Sequence, residues 1–345
     1  MQWSDFMKKL LSALPPVLIL FLLFSMPFLS DYVKDSVKSG IEICLSSLVP
    51  SLFPFLFLSS LASSFASPLL TRLFAPLFCP LFGITPPSVS AVISGLLGGF
   101  PSGSAESARL YSEKKISKAE AERLPLFCNN AGLMFVIGTV GAEHFSSFKA
   151  GLILYFFHIF SSVVCGILTR DPKNISSYTK ETASYVPLSQ FPSLFTSAVR
   201  NSVFSMALIS GNFMVFRVFT ALLCGIFGNS IIISFISGLF EVTGGILSMP
   251  ENTTGLILSA FLLSFNGFCV HMQALTFFSP LGLSMKKCII GKSFSAVLTA
   301  FLMYVALPEN FFPEKSLPPM VIYIIIILIP LLLLIPHAKK ASDAV

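Results

Sequence analysis

Long apolar runs dominate the chain, and their lengths match the thickness of a lipid bilayer. A helix needs about 20 mainly apolar residues to cross the hydrocarbon core of a membrane. Six runs meet this requirement without an interruption: 10–29, 44–65, 145–168, 197–217, 288–307 and 319–336. Since a helix satisfies its own backbone hydrogen bonds within lipid, the pattern predicts an all-α polytopic membrane protein.

Two further apolar segments contain residues that disfavour a continuous helix. Segment 124–142 contains Asn129-Asn130-Ala131-Gly132, and segment 253–278 contains Asn266-Gly267. Amide side chains deep in a membrane are costly unless they are hydrogen-bonded. Two interpretations stay open. The amides bond to neighbouring helices, or they form a site for a substrate or an ion at the N-terminus of the following half-helix.

Composition and charge narrow the class of protein. Of the 345 residues, 54% are hydrophobic and 11% are charged, and the mean hydropathy is +0.84. A soluble domain has about a quarter of its residues charged, so a soluble enzyme, a disordered chain and a nucleic-acid-binding protein are excluded. The net charge of +6 is interpreted as an excess of basic residues in cytoplasmic loops. The seven cysteines show no metal-binding or disulfide spacing.

The basic loops predict the topology. Lysine and arginine cluster in five places: the N-terminus, loops 109–123, 170–180 and 286–292, and the C-terminal tail. If all five are cytoplasmic, each interval between them contains an even number of crossings. The number of crossings is even in every interval only if two glycine- and serine-rich stretches, 86–105 and 231–249, are re-entrant hairpins. We therefore expect about eight transmembrane helices plus two hairpins, with both termini in the cytoplasm.

The same elements occur twice in the same order: a span, a hairpin, a broken span and a span. The hairpins share the sequence Ile-Ser-Gly-Leu, at 93–96 and at 236–239. Each unit crosses three times, so the two repeats are inverted, an arrangement that points to a transport site near the membrane mid-plane. The predicted domains are an N-terminal anchor (1–39), a first repeat (40–168), a cytoplasmic linker (169–190), a second repeat (191–307) and a C-terminal helix with a basic tail (308–345).

Other residues could carry chemistry within these elements. Gly95, Gly99 and Gly103 form a small-residue stripe, which favours close helix packing, a hairpin tip beside a polar cavity, or both. A capping box, Ser117 to Glu120, starts the helix that enters the first broken span.

Glu241 in the second hairpin needs a partner within the membrane, and the candidates are Arg200, Arg217 and His271. His158 is interpreted as a structural histidine. No enzyme motif is present, so no catalytic activity is expected.

The residues around the first hairpin and break resemble a known family. The stretch SGLLGGFPSGSAESARLYSEKKISKAEAERLPLFCNNAGLMFVIGTVG, at 94–141, is similar to the nucleoside-recognition Gate domain of the sporulation integral membrane protein YlbJ family. SGLFEVTGG at 237–245 and SFNGFCVHMQ at 264–273 resemble that family's second hairpin and final broken helix. The resemblance covers roughly residues 40–307.

The resemblance implies a fold like that of concentrative nucleoside transporters and a role in endospore formation, with dipicolinate as the implied solute. It implies these site residues: Ser94, Gly99, Ser102, Gly103, Asn129, Asn130, Glu241, Thr243, Asn266, His271 and Gln273. A nucleoside-type transporter and a non-transporting gate or scaffold protein are the alternatives.

We expect the bacterial cell membrane or the forespore membrane as the location. The expected partners are the lipid bilayer and a small-molecule substrate, with no nucleic acid. No cofactor is indicated, coupling to H⁺ or Na⁺ stays open, and a homo-oligomer is compatible with the sequence.

Overall fold

A computed structural model describes residues 20, 23–62, 67–171, 187–228, 230–308 and 311–312. Within these residues the secondary structure is helical throughout, with no β-strand. The α-helices are α1 (Ser30–Ile43), α2 (Val49–Leu61), α3 (Ser67–Phe82), α4 (Val89–Leu97), α5 (Ser102–Ser112), α6 (Lys118–Arg123), α7 (Pro125–Cys128), α8 (Phe148–Leu168), α9 (Phe191–Phe227), α10 (Ile231–Phe240), α11 (Val242–Leu247), α12 (Thr253–Phe265), α13 (Gly267–Phe278) and α14 (Lys286–Ala306). Two further segments, Cys44–Leu48 and Phe135–His144, are π-helical.

Four helical segments are long and apolar enough to cross a membrane: Phe148–Leu168, Leu188–Phe227, Thr253–Leu281 and Lys286–Ala306. They confirm four of the predicted spans, 145–168, 197–217, 253–278 and 288–307. The chain is therefore a multi-pass membrane protein. The predicted span 319–336 and most of the predicted span 10–29 lie outside the described residues.

Two predicted spans have different bounds in the structure. The span predicted at 197–217 is part of α9, which has 37 residues and at 1.5 Å per residue is about 55 Å long. It ends at Gly228, whose φ of 74° terminates the helix. The span predicted at 44–65 continues a helix that already begins at Ser30, because α1, the π-helical segment and α2 follow one another without a break.

The first predicted hairpin consists of α4 and α5, which pack against each other. The chain enters it through α3, and the helices on either side of residues 83–85 are bent by 104°. The α4–α5 turn packs against the first broken span through glycines. A Cβ atom added at Gly95 or Gly103 would overlap the carbonyl oxygen of Cys128. Gly99, with φ of 71°, lies against Gly132, since a Cβ there would be 2.8 Å from the Gly132 nitrogen.

The second predicted hairpin consists of α10 and α11, joined at Glu241. The two helices approach closely, because a Cβ atom added at Gly245 would overlap Gly238. Gly238 in turn lies next to the second broken span, where a Cβ at Gly267 would be 3.2 Å from the Gly238 carbonyl oxygen. In both halves of the chain, a hairpin glycine therefore lies against the break of the span that follows it.

Two charged residues before the first break, Glu120 and Arg123, are buried, whereas the lysines of the same segment are exposed. Ser117 caps α6 by accepting a hydrogen bond from the Glu120 N–H at 3.2 Å, which confirms half of the capping box. The Glu120 carboxylate does not accept a hydrogen bond from the Ser117 N–H, as the other half of a capping box requires. It accepts from the Thr85 N–H at 2.7 Å and the Ser88 hydroxyl at 2.7 Å. Arg123 donates to the carbonyl oxygens of Phe82 and Gly83, so these charges fasten α6 to the end of α3.

Helix α12 is the centre of the larger apolar core, and all of its residues from Thr253 to Phe265 are buried. It packs against α14, and α14 packs against α8. A second apolar cluster joins α3, α4 and the α6–α7 region to α13. The two broken spans lie between these clusters, since the first cluster contains Ala131 and the second contains Cys128.

We expect Gly95→Ala to destabilise the fold by roughly 2 kcal/mol or more, because the new methyl group meets the main chain of Cys128. The matched control is Gly211→Ala in α9, where nothing lies within 4 Å of an added Cβ. In that helix alanine is favoured over glycine by about 0.5–1 kcal/mol. Thermal unfolding in detergent, followed with a thiol-reactive dye that detects the seven free cysteines, measures both effects. Equal melting temperatures for the two variants would contradict the packing described.

Candidate functional site

The first break runs from Asn129 to Gly132, between the end of α7 and the next helical turn. Asn130 is fully buried, and all of its side-chain hydrogen bonds lie within the protein. Its Nδ2 atom donates to the Phe127 carbonyl at 2.8 Å, while its Oδ1 atom accepts from Ser162 at 2.6 Å and from Lys292 at 2.9 Å. This one amide therefore connects the break to α8 and α14.

The second break is a local reversal of backbone conformation rather than a gap. Asn266 and Gly267 have positive φ angles of 75° and 63°, a conformation that asparagine and glycine tolerate best. The break ends α12 and begins α13. The Asn266 Nδ2 atom donates to the main-chain oxygen of Asn129 at 2.8 Å. The two breaks, 137 residues apart in sequence, are thus in direct contact.

His158 on α8 connects the first break to the core helices. Its Nε2 atom accepts a hydrogen bond from the Ala131 N–H at 3.0 Å. The ring proton therefore lies on Nδ1, which donates to the Ser264 hydroxyl at 2.8 Å. The Ser264 hydroxyl donates in turn to the Thr299 hydroxyl on α14 at 2.9 Å. His158 was interpreted as structural from the sequence, and nothing in an isolated histidine within an apolar helix indicated that it binds the break.

Lys292 is a functional candidate that the sequence analysis missed. It was counted in the basic loop 286–292, although it also lies within the predicted span 288–307. In the structure it is fully buried in α14, two turns after the exposed Lys286. No carboxylate of the described residues lies within 4.0 Å of its amine, which donates to Asn130. The signal that could have found it was a basic residue inside a predicted span.

Several buried polar atoms at the breaks and on α13 have no hydrogen-bond partner among the described residues. They are both side-chain atoms of Asn129, the Oδ1 atom of Asn266 and the Oε1 atom of Gln273. His271, also buried, lies with its ring against Phe265 at 5.3 Å between centroids. Buried polar groups are nearly always satisfied, so unpaired amide atoms at two meeting breaks are suited to a polar ligand or to water.

The predicted residues of the first hairpin separate into two roles. Gly99 and Gly103 make the close main-chain contacts described above. Ser94 and Ser102 line a cavity of about 80 Å³, together with residues of α2 and α9. The Ser102 hydroxyl also donates to the main-chain oxygen of Ser94 at 2.7 Å, which holds the two helices of the hairpin together.

Glu241 does not pair with any of the three predicted partners by a hydrogen bond. Its carboxylate caps α11, accepting from the N–H groups of Thr243 at 2.7 Å and Gly244. Arg200 is exposed. Arg217 lies close by, since a Cβ added at Gly244 would overlap its guanidinium. The buried carboxylate is therefore satisfied first by its own helix.

A second cavity, of about 20 Å³, brings predicted residues of the second half together. Glu241, Thr243 and Gln273 line it, and Phe100 from the first hairpin reaches the same space. The predicted site residues thus fall into two adjoining zones. Asn129, Asn130, Asn266 and His271 belong to the buried breaks, while the others lie in the hairpins or along the cavities.

A comparison with known proteins identifies a curated relative of this chain. The chain is 26% identical to the sporulation integral membrane protein YlbJ of Bacillus subtilis (strain 168). This match confirms the resemblance to the YlbJ family. It covers 60% of this chain and 60% of the length of YlbJ. No family model matches the chain, and no solved structure matches it. The Gate domain of the YlbJ family is therefore indicated by motif resemblance alone.

We expect Ser264→Ala to destabilise the protein by about 1–3 kcal/mol, because the Nδ1 proton of His158 loses its buried acceptor. Ser259→Ala is the matched control, since Ser259 lies on the same helix, is equally buried and makes no hydrogen bond with the described residues. Its removal is expected to be neutral or slightly stabilising. Melting temperatures in detergent test the pair, and the opposite order would argue against the His158–Ser264 bond.

Proposed function

We propose that this chain is a membrane transporter that moves a small polar or anionic solute by alternating access and acts in spore formation. In this proposal it lies in the bacterial cell membrane or the forespore membrane, with both termini in the cytoplasm. About eight crossings and two re-entrant hairpins form two inverted repeats, and the chain catalyses no reaction.

The observation that carries the proposal is the contact between the two breaks. Unwound backbone within a membrane is tolerated where it is buried in protein or lines a cavity, and transporters use such breaks to bind solutes near the mid-plane. Here Asn266 bonds the main chain at Asn129, yet the Asn129 side chain has no partner among the described residues. An amide with both a free donor and a free acceptor suits a polar solute.

The repeated contact between hairpin and break supports the inverted repeats. Gly95 follows Ser94 in the first hairpin and packs on Cys128, immediately before the first break. Gly238 follows Ser237 in the second hairpin and packs on Gly267, within the second break. The glycines of the shared Ile-Ser-Gly-Leu sequence thus both lie beside a broken span, which supports the repeat.

Lys292 supports an anionic solute. A buried amine without a carboxylate partner is costly as a cation, and a bound anion would lower that cost. Asn130 receives its hydrogen bond and belongs to the first break. The carboxylates that line the two cavities described above are occupied already, since Glu106 pairs with Arg109 and Glu241 caps α11. The charge balance at the breaks therefore favours a solute that carries a carboxylate.

The role in spore formation rests on YlbJ, whose name describes a sporulation integral membrane protein. Dipicolinate, a small dicarboxylate, is the solute that the family resemblance implies and that the Lys292 amine would suit. A nucleoside is the alternative, and the same assay includes it.

We expect saturable uptake of radiolabelled dipicolinate by the purified chain in proteoliposomes. Asn129→Ala should lower the initial rate by about tenfold or more, because a misplaced or lost polar contact costs at least 1.4 kcal/mol in such a site. Ser259→Ala, buried but away from the breaks, should leave the rate unchanged. Saturable uptake of a nucleoside instead would reassign the solute, and the absence of flux with both would favour a non-transporting scaffold.

Lys292→Met tests the charge separately from the fold. Replacing a buried amine by an apolar side chain of similar length is expected to leave the melting temperature unchanged or higher. Asn130 keeps its bond from Ser162, so the break stays satisfied. Dipicolinate uptake should nevertheless be lost. Lys286→Met, at the exposed start of the same helix, is the control and should retain uptake. A lower melting temperature with normal uptake would assign Lys292 a structural role.

A further inference from the structure

Three cavities lie in order along α9. Asn201 and Ser205 line the first, Ile209 and Phe213 the second, and Arg217 the third. These five residues are each four apart, so they form one continuous ridge that winds around the helix by about 40° per step. The ends of the ridge are sixteen residues apart, or about 24 Å at 1.5 Å per residue, which approaches the roughly 30 Å thickness of the hydrocarbon core.

A matching row lies across from it on α2 and the π-helical segment before it. Leu48 and Leu52 line the second cavity, and Leu56 and Ser60 line the first, again at intervals of four residues. Helices α2 and α9 pack along each other. The hairpins close the remaining side, with Ser94 and Ser102 in the first cavity and Glu241 in the second. Each cavity is therefore about one helical turn from the next.

The polarity of the lining changes along the ridge. The first cavity, of about 80 Å³, is lined mainly by hydroxyl and amide side chains. The third cavity, of about 470 Å³, is lined by charged and polar residues of α1 and by Arg217. The second cavity between them is only about 20 Å³, room for about one water molecule. Apolar residues narrow it: Leu48, Leu52, Phe100, Ile209 and Phe213.

We propose that these cavities are one solute path along the ridge Asn201–Arg217 of α9, closed in this state by an apolar constriction at Leu52, Phe100 and Phe213. This proposal rests on the transport function and deepens it. The path would take a small solute that forms hydrogen bonds, and the two hairpins would open it by moving Phe100 away from α9. Phe100 belongs to the first hairpin and Phe213 to α9, so relative motion of these elements changes the width of the constriction.

Thiol labelling of open membrane fragments with a charged methanethiosulfonate reagent tests the path without a known solute. The native background is low, since six of the seven cysteines are buried. Ser205→Cys, on the ridge, should react about tenfold or more faster than Val203→Cys, because a charged reagent needs water and the thiolate is the reactive form. Val203 is exposed and apolar on another side of α9, where lipid is expected.

The constriction is tested with a native thiol. Cys269 lines the second cavity and is 2% exposed. A thiol reacts once water reaches it. We therefore expect Phe213→Ala to raise the labelling of Cys269 by about tenfold relative to the labelling of Cys79, which is buried in α3. Leu52→Ala is a second variant with the same expected effect. Phe204→Ala, an exposed phenylalanine of α9, is the control and should raise neither. Peptide mass spectrometry quantifies the labelling of Cys269 and Cys79 in one sample. General unfolding is recognised because it would raise the labelling of both thiols together.

Ser205→Cys that reacts no faster than Val203→Cys would overturn the path. The constriction would be overturned if neither Phe213→Ala nor Leu52→Ala raised the ratio of Cys269 to Cys79 labelling. Reactive ridge thiols together with no dipicolinate or nucleoside uptake would support the path and reject those solutes. Saturable uptake with unreactive ridge thiols would support transport and route the solute elsewhere.

Discussion

The interruption of the main chain at Asn129–Gly132 is the constraint on which the other features depend. Within lipid, each backbone N–H and carbonyl freed from a helix must find a partner in the protein. The Asn129 carbonyl finds the Asn266 side chain, and the Ala131 N–H finds His158. Both partners belong to other helices, so the break can exist only inside this assembled bundle.

This requirement explains why small residues and polar side chains concentrate around one point of an otherwise apolar chain. Glycines of the first hairpin allow its backbone to touch Cys128 and Gly132, and no larger residue would fit there. Hydroxyls and amides of α8, α12 and α14 then complete the hydrogen bonds. Some buried polar atoms, above all those of the Asn129 amide, have no hydrogen-bond partner among the described residues. Helix packing alone does not explain why they are there.

The site and the cavities have different physical characters. Around the breaks, Lys292 and the amides form a closely packed polar cluster. Along α9, the polar cavities are separated by an apolar constriction. A solute that moved along α9 would pass Glu241 and Gln273 and come within reach of α13, which begins at the second break. Helix α13 therefore physically links the two zones.

The sequence by itself determined the class of protein, four of its spans and the positions of both breaks, because apolar run length and Asn-Gly interruptions are local properties of the chain. It did not determine the extent of α9 or the partner of Glu241. It also could not distinguish Lys292 from a loop lysine, or His158 from an inert histidine. Only the tertiary structure decided these, since hydrogen-bond partners from helices more than 100 residues apart, such as Asn130 and Lys292, meet through packing that no local pattern encodes.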